Sequence, residues 1–272
     1  FSFSTALIAS RSLISAALAN MKMVDFKKAH ADMIIEKVKD REGTAKAVKS
    51  LMKELCKYAM ENDLIDKNYA GLVKIQTKKK PDKPYFKKDD RAILWEHCDD
   101  ERIQVVLFMC YTGFRIGEVL DLNANNIDFE EGYIIGGEKT EAGTDRIVPF
   151  LPFVPEIEEY ARTLAEKADS SGKLFPMSRP TFAEKFFYAP LTELGFIDSY
   201  KNEKGKRVFR DPVHLTPHST RHTFATICAE AGMNPKELQK IIGHARIQTT
   251  LDVYTHTELS SLKAEMSKIK RL

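Results

Sequence analysis

Residues 215–256 read LTPHSTRHTFATICAEAGMNPKELQKIIGHARIQTTLDVYTH, and within this stretch stand His218, Arg221, His244 and Tyr254. Thr216 before Pro217 is a helix start and Gly232 a helix stop, so His218 and Arg221, three apart, share one helical face. Asn234 before Pro235 repeats the start, and Gly243 closes this second helix, so that His244 emerges at a sharp turn of the chain. Thr249 or Thr250 is the expected cap of a third helix carrying Tyr254. The pattern predicts that the four polar groups converge on one ligand atom.

Upstream, TGFRIGEVLDL over residues 112–122 breaks a helical pattern at Gly113 and starts another in which Arg115 and Glu118 are three apart. Such a pair is either a surface ion pair of small worth or an Arg held by its carboxylate neighbour with its fork presented to a phosphate. Residues 126–150 are the clearest β stretch, with strands expected at 127–129, 133–135 and 146–148, and EKTEAGT joins the last two as a hairpin loop carrying Lys139. Helices are expected over 89–98, 103–111, 155–167 and 181–194, with Trp95 buried. The segment YKNEKGKRVFR, residues 200–210, is a basic insertion of loop or hairpin type. The expected fold is mainly α with a small antiparallel β-sheet.

The first third is helical and basic. Up to Pro84 there are 17 Lys and Arg against 10 Asp and Glu, while the remainder has 25 against 29, an asymmetry hidden by the net charge of +3. One apolar stripe runs through Leu7, Ile14, Leu18 and Met21, and another begins at Phe26, Ala29 and Met33. In a third helix, residues 44–61, Val48, Leu51, Leu55 and Ala59 form an apolar stripe, and Lys46, Lys49, Lys53 and Lys57 lie on the opposite face. The lysine row is either an ordinary solvated face or a track for the phosphates of a polyanion, and the charge asymmetry favours DNA. TKKKPDKPYFKK, residues 77–88, reads as an extended linker; Lys78, Lys79 and Lys80 suit a strap across a phosphate backbone as well as plain solubility. The expected division is a helical DNA-binding domain over 1–76, the basic linker over 77–88, and a catalytic domain over 89–272.

Composition removes several classes. No apolar run approaches the roughly 20 residues of a membrane span. Cys56, Cys98, Cys110 and Cys228 stand singly, which fits neither a zinc site nor a disulfide framework and favours a reducing, cytoplasmic setting. The first 24 residues, Ser- and Ala-rich and without acids, have the composition of a transit peptide, and the opening on Phe1 suggests a fragment of a longer chain.

The polar set suits a phosphodiester. Attack in line builds negative charge on the non-bridging oxygens and expels an alkoxide that needs a proton. Tyr254 can attack, storing the energy of the broken backbone in a phosphotyrosyl bond without ATP, metal or other cofactor. Arg115 and Arg221 can clamp the oxygens, Lys139 can protonate the departing 5′ oxygen, and His218 and His244 can handle the phenolic proton and hold the phosphate.

The ordered set resembles the tyrosine recombinases, the integrases of phages and conjugative transposons. TGFRIGEVLDL is similar to the family's first arginine box, EKT to its hairpin lysine, HSTRHTFAT to its second box, and GHARIQTTLDVYTH to its closing histidine and nucleophile segment. Arg115, Lys139, His218, Arg221, His244 and Tyr254 match the six catalytic positions, with Glu118 where the family has a supporting acid. Thr220 replaces a more usual leucine, a matter of packing. Residues 58–70, YAMENDLIDKNYA, resemble the end of the family's core-binding domain. The resemblance implies a C-shaped clamp on double-stranded DNA, a 3′-phosphotyrosine, a Holliday junction, a homotetramer and an upstream arm-binding domain, with an excisionase or host bending protein as accessory partners. It further implies that the stripe of Leu259, Leu262, Met266 and Ile269 docks on a neighbouring protomer rather than in cis. The competing activities are a Xer-like dimer resolvase and a nicking-closing enzyme like the type IB topoisomerases. A regulator that lost the chemistry is disfavoured by the intact six-residue set, and a metal-dependent nuclease by the lack of a carboxylate cluster beside these boxes.

Overall fold

The computed structural model describes residues 21–75, 83–137, 145–152 and 154–254. The chain divides into two compact units, Phe1–Lys80 and Pro81–Leu272.

In the first unit, α1 (Lys28–Glu36) and α2 (Glu42–Glu61) pack together with a short 3-10 turn, Tyr69–Leu72. The buried side chains of α2 are Ala45, Val48, Met52, Cys56 and Ala59, a 3, 4, 4, 3 spacing that keeps one face inward. This corrects the expected stripe: Leu55 is exposed, because Met52 and Cys56 supply the inner face one position further round the helix. The same holds in α1, where Ala31, Ile34 and Ile35 are buried while Ala29 and Met33 face outward. Of the expected opening helix, only Met21 falls among the described residues.

The second unit is built around α4 (Glu101–Thr112), preceded by α3 (Lys88–Glu96). Val105 to Cys110 are all buried, as befits a helix apolar on every side. Against α4 pack α6 (Pro155–Glu166), a π-helical turn at Glu184–Tyr188, and α9 (Pro217–Glu230). The π turn joins α7 (Arg179–Ala183) to α8 (Ala189–Glu193), so the helix expected over 181–194 carries one loosened turn. Trp95 is half-buried rather than buried, since its indole N–H reaches out to the Tyr111 hydroxyl at 3.0 Å. The expected linker ends earlier than residue 88: Phe86 is fully buried against Phe187 and Phe196, and its N–H donates to Thr223 Oγ1 at 2.9 Å.

Three strands, β1 (Ile127–Asp128), β2 (Tyr133–Gly136) and β3 (Arg146–Pro149), form an antiparallel sheet in that order, with Gly136 opposite Arg146. The basic insertion is a hairpin of β4 (Ser199–Lys201) and β5 (Arg207–Phe209). Arg207 pins it down by donating to both Glu184 oxygens, at 3.0 and 2.7 Å. Between α4 and β1 lies α5 (Ile116–Asp121), and after α9 come α10 (Pro235–Ile242) and α11 (Ile247–Tyr254), which pack on α9 and on each other. Among the described residues no helix is long and apolar enough to cross a membrane, and the four cysteines are free thiols.

Candidate active site

The site begins at the end of α4. Gly113 terminates the helix at φ +67°, and a Cβ there would lie 2.4 Å from the Phe224 ring, so a side chain is excluded both by conformation and by space. Its freed carbonyl accepts from Arg221 Nη1 at 3.0 Å. Phe114 turns inward under the sheet, and Arg115 then opens α5 with its N–H donating to Glu118 Oε2 at 2.7 Å.

Glu118 is the hub. Its fully buried carboxylate accepts from Arg115 Nη1 at 2.7 Å and from both Nη atoms of Arg146 at 2.6 Å, and Arg221 Nη1 stands 3.8 Å away. Burial alone would raise this carboxyl, but the Arg146 fork, the Arg115 N–H and the charges of Arg146 and Arg115 outweigh it and bring the pKa down to about 2. Arg146 is buried, and its guanidinium lies 4.7 Å from the Phe114 ring centre. Arg221 is 2% exposed and is also held by the carbonyl of Ile242. Arg115 is the open member of the three, its side chain 30% exposed.

The two histidines stand in the same field. Thr216 and Pro217 start α9 as the sequence predicts, with Ser219 Oγ accepting from the Thr216 N–H at 3.1 Å. This places His218 in the first turn with its side chain exposed to solvent. Asn234 caps α10 through the Lys236 N–H at 2.9 Å, and Gly243 ends it at φ +72°. His244 follows, clamped by its N–H to the Gln239 carbonyl at 3.2 Å and by Gln239 Nε2 to its own carbonyl at 2.8 Å. Both imidazoles are pulled down to about 4, first by the protein packed around them and then by positive neighbours, although His218 keeps an exposed side and His244 is half-buried. Arg221, Lys83 and Arg115 act on each of them. Arg115, Arg221, His218 and His244 are therefore one electrostatic neighbourhood, as the spacing predicts.

Tyr254 is not in it. Its hydroxyl donates to the Met233 carbonyl at 2.6 Å, and its pKa is raised by burial and by Cys228. Met233 lies just past the C-terminal end of α9, where the chain folds back and its N–H donates to the Cys228 carbonyl at 3.0 Å. His218, Arg221 and His244 thus share one electrostatic neighbourhood, while the phenol is anchored at Met233 and packs against the cluster of Phe224, Ala225 and Cys228. Thr249 and Thr250 are not the cap of α11, which begins at Ile247 and includes them both.

Lys139, Lys78, Lys79, Lys80 and the stripe from Leu259 to Ile269 lie outside the described residues. Of the lysine row, Lys53 is exposed, Lys46 pairs with Glu42, and Lys57 stands 3.9 Å from Glu61. Lys49 departs from the row: it is partly buried and donates to the Val73 carbonyl at 2.6 Å, a tether within the unit. The sequence reading missed Arg146, Lys83 and Thr250, whose hydroxyl meets His244 Nδ1 at 2.9 Å. Among the described residues no group of three or more His, Cys, Asp or Glu is arranged to hold a metal ion.

Comparison with known proteins bears on the same residues. The model of the phage integrase family matches residues 85–260. The tyrosine recombinase XerA of Pyrococcus furiosus is 33% identical over 170 residues, covering 62% of this chain and 54% of that protein. The transposase from transposon Tn916 of Enterococcus faecalis is 32% identical over 189 residues, covering 61% of this chain and 45% of that protein. The chain therefore spans about half the length of the relatives it matches. In fold it is similar to the Tn1549 transposon integrase, solved in complex with circular intermediate DNA, at TM-score 0.74 and 21% identity, over 100% of this chain and 94% of that one.

Proposed function

Since the chain belongs to the phage integrase family, we propose that it cuts and rejoins DNA strands through a 3′-phosphotyrosyl bond formed by Tyr254. The observation that carries this reading is the Glu118 hub, which holds Arg115 and Arg221 side by side with His218 and His244 at their edge. In the proposed step the Tyr254 oxygen bonds to phosphorus as the bond from phosphorus to the 5′ oxygen breaks. The 5′ oxygen leaves as a hydroxyl with a proton from Lys139, and the phenolic proton passes to a neutral imidazole. Arg115 and Arg221 neutralise the charge that grows on the non-bridging oxygens. The phenol must first leave Met233, and the exposed residues Ala245 and Arg246 between His244 and α11 are where the chain can turn to bring it round.

Within that chemistry the proposed role is integration and excision of a mobile element, supported by likeness to the Tn916 transposase and to the fold of the Tn1549 integrase. The similarity to XerA favours dimer resolution as the second reading. The unit Phe1–Lys80 is proposed as the core-binding domain, with Lys46, Lys53, Lys57 and the linker lysines Lys78, Lys79 and Lys80 on the DNA backbone. The proposed assembly is a tetramer joined by the C-terminal stripe, working in the cytoplasm with an excisionase or a host bending protein.

A nicked suicide duplex carrying the element's ends tests the chemistry. Wild-type protein should give a DNA adduct that survives denaturation, and Tyr254→Phe should give none. An adduct in the variant, or its absence in the wild type with both candidate substrates, element ends and dimer-resolution sites, overturns the proposal. Which substrate yields rejoined recombinant product separates the two roles.

A further inference from the structure

Thr250 sits on the helix of Tyr254, one turn before it, and is completely buried. A buried hydroxyl must place its hydrogen on an acceptor or lose a hydrogen bond worth about 1 kcal/mol or more. A helical threonine ordinarily satisfies this need at the carbonyl one turn back, as Thr112 does at Phe108, Thr223 at Ser219 and Thr226 at His222. Thr250 does not follow them: among the described residues its hydrogen-bond partner is His244 Nδ1, at 2.9 Å. Among the described residues Nδ1 is the acceptor within reach of that hydrogen, and a neutral imidazole that accepts at Nδ1 carries its ring hydrogen on Nε2.

We propose that Thr250 is a positioning residue that fixes His244 in the tautomer with its hydrogen on Nε2. The tautomer rests on geometry alone, and its consequence for the reaction on the phosphotyrosyl reading above. His244 stays neutral over the physiological range, its pKa lowered to about 4 by burial and then by Arg221 and Arg115, so the choice of tautomer decides what the ring can do. With Nε2–H the ring offers a donor to a non-bridging oxygen, the same service that the guanidiniums perform. With the hydrogen on Nδ1 it would offer a lone pair, which repels an anionic oxygen. The backbone clamp from Gln239 fixes where the ring starts, and Thr250 fixes which way it is read. Because Thr250 and Tyr254 occupy the same face of α11, four residues apart, the arrangement also ties the state of the imidazole to the helix that delivers the phenol.

The test is nitrogen-15 NMR of the full chain without DNA, with the His244 ring assigned by comparison with His244→Gln. The pyrrole-type nitrogen should be Nε2, recognised by its coupling to both ring carbon-bound protons. Thr250→Val, close to threonine in shape, should mix the tautomers and slow adduct formation by about tenfold to a hundredfold, the scale on which loss of an orienting hydrogen-bond partner acts at metal-bound histidines. Thr250→Ser should restore both spectrum and rate, which a purely steric role of the methyl group would not do. A pyrrole-type Nδ1 in the wild type overturns the proposal, as does a Thr250→Val ring spectrum identical to wild type, whatever its rate. The spectrum is read without DNA, so it stands or falls separately from the phosphotyrosyl adduct of Tyr254.

Discussion

Replacing Glu118 by Gln removes one charge and almost no volume, yet it should be among the most damaging substitutions in the molecule. The carboxylate accepts four hydrogen bonds from Arg115 and Arg146, with Arg221 a further 3.8 Å away. A carboxamide accepts on one atom and turns an N–H₂ toward guanidinium donors on the other. Two independent routes give the size of the effect. Holding this buried carboxyl at about 2, against 4.5 ordinarily, corresponds to about 3.5 kcal/mol at roughly 1.4 kcal/mol per pK unit. Removing one partner of a buried ion pair costs about 3–5 kcal/mol by general experience. The assay is urea unfolding followed by fluorescence: the chain has a single tryptophan, Trp95, within Pro81–Leu272, so the transition reports that unit alone. A loss of about 3.5 kcal/mol is expected, and Glu118→Leu combined with Arg146→Met should recover part of it by trading the pair for apolar contact. A loss below about 1 kcal/mol, less than one charged hydrogen bond is usually worth, would refute the idea that this carboxylate organises the cluster.

Acidification should act in two stages in the same fluorescence assay. His218 and His244, lowered from 6.5 to about 4, take up protons later than in the unfolded chain, so stability falls as pH drops from 6.5 toward 4; Glu118 contributes fully above 4.5 and is lost as pH falls toward about 2, and Glu118→Gln should abolish only that second stage. Gly113→Ala should cost well over the roughly 1 kcal/mol of left-handed strain, because its Cβ meets the Phe224 ring, whereas Gly132→Ala, also left-handed but with open space around it, should cost only that strain; equal urea midpoints would contradict this. Lys49→Met should lower the thermal stability of the first unit by about 1 kcal/mol through loss of the Val73 tether. Lys53→Met should leave stability alone and reduce the salt slope of DNA binding by about one, and an unchanged slope would remove Lys53 from the interface.

Local chemistry was readable wherever it was set by neighbours in the chain. Gly113, Arg115 and Glu118 fall within six residues, and the starts at Thr216 and Asn234 and the stop at Gly243 belong to the backbone around them, so the local turns that carry Arg115, Glu118, His218, Arg221 and His244 lie where the sequence spacing puts them. Arg146 was out of reach because it comes to Glu118 across 28 residues, through a strand pairing that sets it opposite Gly136. An arginine opening a strand carries no mark of burial. Thr250 was misread for a different reason: threonine is a common cap, and only the third dimension shows its hydroxyl spent on a side chain. The faces of α1 and α2 were misjudged by one position because Met52, Cys56 and Ile34 offered a second apolar stripe of equal quality. The position of Tyr254 is a property of packing against Met233 and Cys228, and no periodicity in residues 247–254 encodes it.

Charge accounting explains why the cluster contains three arginines where two would reach a phosphate. Arg146 gives both of its Nη atoms to Glu118 and so cancels it, which frees Arg115 and Arg221 from neutralisation while leaving them held in place. Neutral imidazoles add nothing at pH 7, and the four groups Glu118, Arg115, Arg146 and Arg221 sum to a local charge of about +2. A backbone phosphodiester carries one negative charge, and its five-coordinate state under attack by a phenolate carries two. On the proposed chemistry the cluster is thus better matched to the transition state than to the uncleaved DNA, which is the condition under which binding energy accelerates a reaction instead of merely tightening the complex. The same inequality accounts for the cost of Glu118→Gln, since without the central carboxylate three guanidiniums face one another with no anion until DNA arrives. It also requires that Arg146→Met impair cleavage more than DNA binding, because it would leave Glu118 to neutralise Arg115 or Arg221. Equal losses in adduct rate and in affinity for the uncleaved duplex would mean that the third arginine serves the ground state after all.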